Sequence, residues 1–166
     1  MTFLFSFLLI LVFASFLILA LRNFRMALTL LFALLPSYLI RFSLGPIPTT
    51  ALEVFILILA LVWVVRRPSP RLIFDALKPL RVPLLLLLAA SCFAVIASSN
   101  TFGPLGAWKA YFIEPALVFL MLRTTFMERG DWERALFALG VSVAVLALFA
   151  VFQVTTGLGI PAAWEL

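Results

Sequence analysis

Ten of the twelve lysine and arginine residues fall in short clusters that separate long, nearly uncharged apolar runs. A chain patterned this way cannot close around a single water-soluble core, because the runs are too long and too uniformly apolar to leave a polar face. Hydrophobic residues make up 66% of the 166 positions and charged residues 11%, against about 45–50% and 25% in soluble domains. Lipid is therefore the solvent for most of this surface, and the fold class predicted is an all-α polytopic transmembrane helical bundle.

The runs divide the chain into about six spans, at residues 3–21, 26–40, 47–65, 82–97, 108–122 and 135–154. The first has neither a charged n-region nor a small-residue cleavage site, so it reads as a retained helix and not as a signal peptide. The second is only about 22 Å long at 1.5 Å per residue, and needs its flanking arginines to snorkel. Arg66, Arg67, Pro68, Ser69, Pro70 and Arg71 close the third, since two prolines and three arginines cannot continue a membrane helix. Residues 72–81 mix apolar and charged positions and are predicted to form an interfacial helix leading into the fourth. Gly103, Pro104 and Gly106 interrupt the connection between the fourth and fifth. Residues 157–166 follow the last span with Trp164 at interface depth, and the chain reads as part of a larger bundle.

Charge sets the orientation. Arg22, Arg25, Arg66, Arg67, Arg71, Lys78, Arg81, Arg123, Arg129 and Arg134 sort to one side of alternating loops, and Arg41 and Lys109 to the other. By the positive-inside rule the arginine-rich side is cytoplasmic; both termini lie outside if the first segment crosses, and the later helices keep their direction if it does not. These cations flank spans instead of forming one face, so the partner they imply is bilayer lipid and not nucleic acid.

Five polar residues fall at or just inside the outer ends of the spans: Arg41, Glu53, Lys109, Glu114 and Gln153. Charges within a span tend to face a cavity or each other. Simpler roles exist for several. Thr50 and Glu53 have the spacing of a capping box, Arg41 can snorkel beside Tyr38, and Lys109 can do so beside Trp108 and Tyr111. Glu114 lies about 9 Å into its helix, where pairing with Lys109 would satisfy it, and Pro115 after it can bend the helix. Cations at this depth suit an anionic headgroup such as a pyrophosphate, with carboxylates holding the cations or orienting a sugar hydroxyl.

No soluble catalytic motif competes. The chain has no histidine and one cysteine, Cys92, which removes zinc chemistry and any intrachain disulfide; Cys92 reads as a small buried apolar residue. No nucleotide-binding or nucleophile-elbow pattern occurs, and no cofactor is implied. Asp131 is predicted to cap the last helix.

The segments Leu35-Pro36-Ser37-Tyr38-Leu39-Ile40-Arg41 and Gly45-Pro46-Ile47-Pro48-Thr49-Thr50-Ala51-Leu52-Glu53 resemble the amino-terminal part of the bacterial O-antigen ligase family. Gly106-Ala107-Trp108-Lys109-Ala110-Tyr111-Phe112-Ile113-Glu114-Pro115 and Gln153-Val154-Thr155-Thr156-Gly157 are similar to it as well. The resemblance runs from about residue 26 onward. It implies a multi-pass protein of the bacterial inner membrane, related to O-antigen polymerases, that transfers glycan from an undecaprenyl pyrophosphate carrier to an acceptor. It also implies that this chain corresponds to the first half of a typical member. The later periplasmic loop, with the histidine and arginines tied to transfer, has no counterpart here, so its catalytic residues map to no position. The missing half, or a partner membrane subunit, would complete such an enzyme, and this chain alone would not catalyse. The alternative is a non-catalytic membrane scaffold or transporter subunit in which the outer cluster ties helices together. A small-solute transporter is disfavoured by the lack of clear inverted repeats.

Overall fold

The computed structural model describes residues 2–44, 47–98 and 102–157; Gly45, Pro46 and Trp164, among the positions singled out above, lie outside them. The architecture is all-α with one small hairpin. Helix α1 (Thr2–Arg22) is followed by α2 (Phe24–Ala33), a 3-10 turn (Leu35–Leu39), strands β1 (Arg41–Leu44) and β2 (Ile47–Thr50), and α3 (Ala51–Val65). Then come α4 (Pro70–Leu77), a 3-10 turn (Lys78–Leu80), α5 (Arg81–Ile96), α6 (Phe102–Trp108), a π-helical turn (Lys109–Ile113), α7 (Glu114–Thr125) and α8 (Arg129–Thr156).

Among the described residues four helical stretches are long and apolar enough to cross a membrane: Leu4–Arg22, Pro70–Ile96, Pro104–Thr125 and Arg129–Thr156. The chain is thus a multi-pass membrane protein. Helices α2 and α3 are shorter, with 10 and 15 residues. The apolar run from 26 does not stay helical to 40, because Pro36 enters a 3-10 turn after Leu34 and its ring cannot follow an α-helical turn. Likewise the run from 47 begins as strand, Arg41 pairing antiparallel with Thr50 and Phe42 with Thr49, and helix starts only after the Thr50 cap. The hairpin extends the α2–α3 pair beyond its helical length. Its backbone stays satisfied through the join, where Ala51 N–H donates to the Ile40 carbonyl at 3.0 Å.

Long-range contacts fix which ends meet. Arg66 Nη2 donates to the carbonyls of Ala20 at 3.1 Å and Leu21 at 2.8 Å, completing the carboxyl end of α1, and its guanidinium lies 5.3 Å from the Phe24 ring centroid. Trp63 Nε1 donates to Thr124 Oγ1 at 3.0 Å, joining the ends of α3 and α7. Arg25 reaches Asp131 at 3.6 Å, which brings in the start of α8. The opposite end carries the hairpin, where Phe13 of α1 stands 6.2 Å from Phe42. We refer to these as the arginine end and the hairpin end.

The core lies among α1, α2, α3 and α7, built on Phe16, Leu28, Phe55, Leu59 and Met121. Helix α8 packs on α2 through Asp131, Ala135, Ala138 and Ser142, a stripe spaced by three or four residues whose small side chains let the backbones approach. By contrast, α5 buries only Ser91. Its neighbour Cys92 is exposed, contrary to the sequence expectation, because α5 touches the bundle along one narrow face and residue 92 points away from it. Leu86, Phe93 and Ile96 are exposed on α5, and Phe137, Leu148 and Val154 on α8, a surface suited to lipid.

In a Cys92→Ala background, Ser43→Cys and Arg67→Cys are expected to react with a membrane-impermeant maleimide from opposite faces. Labelling of both from one face would reject this bundle as the spanning unit.

Candidate functional site at the hairpin end

Three of the five outer polar residues converge. Lys109 Nζ stands 2.7 Å from Glu53 Oε2 and 3.5 Å from Glu114 Oε1, so one cation sits between two carboxylates. The side chains of Glu53 and Glu114 are 15% and 8% exposed, against 41% for Lys109. Glu114 Oε1 is buried without a hydrogen bond among the described residues and is held by charge alone.

The Lys109–Glu114 contact depends on a local departure from α-helix. Five residues apart on a regular helix, these side chains would point about 140° away from each other. The π turn over Lys109–Ile113 closes a hydrogen bond from Glu114 N–H to the Lys109 carbonyl, so the two residues stack on one side. Pro115 follows immediately, and its missing N–H favours a rearranged turn over a regular one. The expected bend at Pro115 is realised as a widened turn that aims two charges together.

Glu53 is positioned by its helix start. Thr50 caps α3, its hydroxyl accepting from Glu53 N–H at 3.2 Å. The Glu53 carboxylate is taken up elsewhere: Oε2 accepts from Thr49 Oγ1 at 2.8 Å and from Lys109 at 2.7 Å. The T-x-x-E spacing therefore supplies the cap and delivers a carboxylate to the cluster. Thr49 is buried and was not legible as a member, since its approach depends on the hairpin register that turns it toward Glu53.

Arg41 opens β1 and is exposed. With Ser43, Thr49, Thr50 and Glu53 it lines a cleft of about 360 Å³. Gln153 is half-buried one turn from the end of α8, where Gly157 caps the helix in the left-handed conformation at φ +68°; it is not among the residues lining that cleft. Trp108, next to Lys109, donates from Nε1 to Ser91 Oγ at 2.9 Å, which ties α6 to α5. Chemically, the cleft presents one exposed cation, hydroxyl groups and one anchored carboxylate. Among the described residues no group of His, Cys, Asp and Glu side chains is arranged to hold a metal ion.

The arginine end holds a second charged cluster that sequence reading missed. Asp131 is buried, its side chain 2% exposed, with Arg134 at 2.9 Å and Arg25 at 3.6 Å. It does not cap α8 as expected. Glu128 is the cap, and Asp131 at the third helical position completes a capping box with it, its carboxylate also meeting Arg25 of α2 and Arg134. No protein-family model, no curated protein and no solved structure matches this chain.

Proposed function

We propose that this chain is the amino-terminal part of an O-antigen ligase-like glycosyltransferase of the bacterial inner membrane. In this reading it spans the bilayer about six times, with the hairpin end on the outer side. The α2–α3 pair crosses with the help of the hairpin: 15 helical residues give about 22 Å, and four strand residues add about 13 Å. The observation that carries the reading is the cleft lined by Arg41, Ser43, Thr49, Thr50 and Glu53.

The residues divide the work. Arg41, exposed at the cleft, neutralises the pyrophosphate of a lipid carrier and so makes it a better leaving group. Glu53, fixed by Lys109 and Thr49, accepts a hydrogen bond from a sugar hydroxyl. Lys109 has no such role, because two carboxylates already hold it. The acceptor and the transferring groups come from the remaining half of the protein or a partner subunit.

Arg41→Ala, produced in the native cell at wild-type membrane abundance, is expected to lower transfer of lipid-linked glycan about tenfold, the worth of one charge-assisted contact. Unchanged transfer rejects the reading. The Lys109 sandwich itself favours a second reading, a scaffold whose outer charges only tie α3 to the helix of Lys109. A scaffold predicts that Lys109→Met lowers abundance while Arg41→Ala changes nothing.

A further inference from the structure

The arginine end contains a cleft that the glycan reading does not use. It measures about 340 Å³ and lies between the ends of α1, α2, α3 and α7, with Arg22, Arg25, Arg66, Asn23, Thr124 and Thr125 among its lining. Among the described residues that line it there is no carboxylate. Three guanidinium groups around one concavity repel each other, and of the three only Arg25 has carboxylates beside it among the described residues; basic pockets between helices at this depth are where phosphate headgroups bind.

Two of the three arginines have structural partners. Arg66 holds the α1 carbonyls through Nη2 and lies over Phe24, which makes it rigid. Arg25 pairs through Nη1 with Glu128 at 3.3 Å and Asp131 at 3.6 Å. A guanidinium has five N–H donors, so both retain donors for a second anion. Arg22 is exposed, and no hydrogen bond or ion pair engages its side chain among the described residues. Asn23 caps α2 by accepting from Met26 N–H at 3.1 Å, placing the positive end of that helix at the cleft as well. Trp63 lines the same wall, and an indole with a polar edge is typical of headgroup depth.

We infer that the Arg22, Arg25 and Arg66 cleft at the arginine end binds a phosphate group. The group can come from an anionic phospholipid or from a soluble phosphate, and one experiment separates the two. The whole chain in nanodiscs of phosphatidylcholine is titrated with phosphatidylglycerol, bound lipid being counted by native mass spectrometry, and separately with inorganic phosphate, read by thermal shift.

Saturable retention of phosphatidylglycerol, reduced about tenfold in Arg22→Gln and unaltered in Arg81→Gln, supports the site with lipid as its source. A thermal shift with inorganic phosphate that Arg22→Gln abolishes supports it with a soluble source. Arg22 is exposed, with no hydrogen bond or ion pair on its side chain among the described residues, so its variant reports on binding even if Arg66→Gln fails to fold. Equal retention by wild type and Arg22→Gln with no phosphate shift overturns the proposal, and so does an equal loss in Arg81→Gln, which would reduce it to general surface charge.

Discussion

Replacing Lys109 by Met is expected to lower the unfolding free energy of the protein in detergent by about 1–3 kcal/mol, below the full cost of breaking a buried ion pair because Lys109 is 41% exposed while Glu114 is buried. Methionine keeps the apolar stem of lysine, so the change isolates the charge. It leaves two carboxylates facing each other, and they do not share the cost equally. Glu53, at the edge of the cleft, keeps its Thr49 hydrogen bond and can turn toward water. Glu114, 8% exposed, has no such escape. Adding Glu114→Gln to Lys109→Met is therefore expected to recover more of the loss than adding Glu53→Gln. Denaturant titration of the three variants in one detergent checks the order, and equal recovery by either glutamine would reject the assignment of Glu114 as the buried partner.

The second large effect is at the opposite end. Arg25→Gln combined with Arg134→Gln is expected to cost about 3 kcal/mol, because it strands the Asp131 carboxylate inside the α2–α8 contact. Asp131→Ala is expected to cost less, about 1–2 kcal/mol, chiefly from losing an arm of the capping box. Its two arginines, 47% and 67% exposed, return to water when the carboxylate is gone. A triple variant that adds Asp131→Asn to the two arginine changes should regain most of the stability. If Asp131→Ala proved the more damaging change, the view of Asp131 as the costly buried charge would fail.

Both predictions concern groups that are far apart in sequence or out of phase on their helix. Glu53 and Lys109 are 56 residues apart, and Arg25 and Asp131 come from α2 and α8, far apart along the chain. Depth in the apolar run gathered Arg41, Glu53, Lys109, Glu114 and Gln153, since charge in oil must find a partner, and of these only Glu53, Lys109 and Glu114 meet in one cluster. Depth was not enough to place Gln153 or to reveal the buried Asp131 cluster, because it says nothing about the direction a side chain faces. The 26–40 and 47–65 runs show the same limit. Their hydropathy is that of membrane segments, yet Pro36 and the Thr50 cap shorten the helices within them.

Hydropathy is a sum over neighbours along the chain, and so composition and charge spacing were enough to read an all-α chain with several membrane-crossing helices. Tertiary structure alone decided how each helix is rotated about its axis. The π turn before Pro115 swings Lys109 onto the side of Glu114, and the small residues of α8 draw Asp131 against α2. Rotation follows from packing between surfaces that meet only once the chain has folded, and the ion pairs follow from rotation.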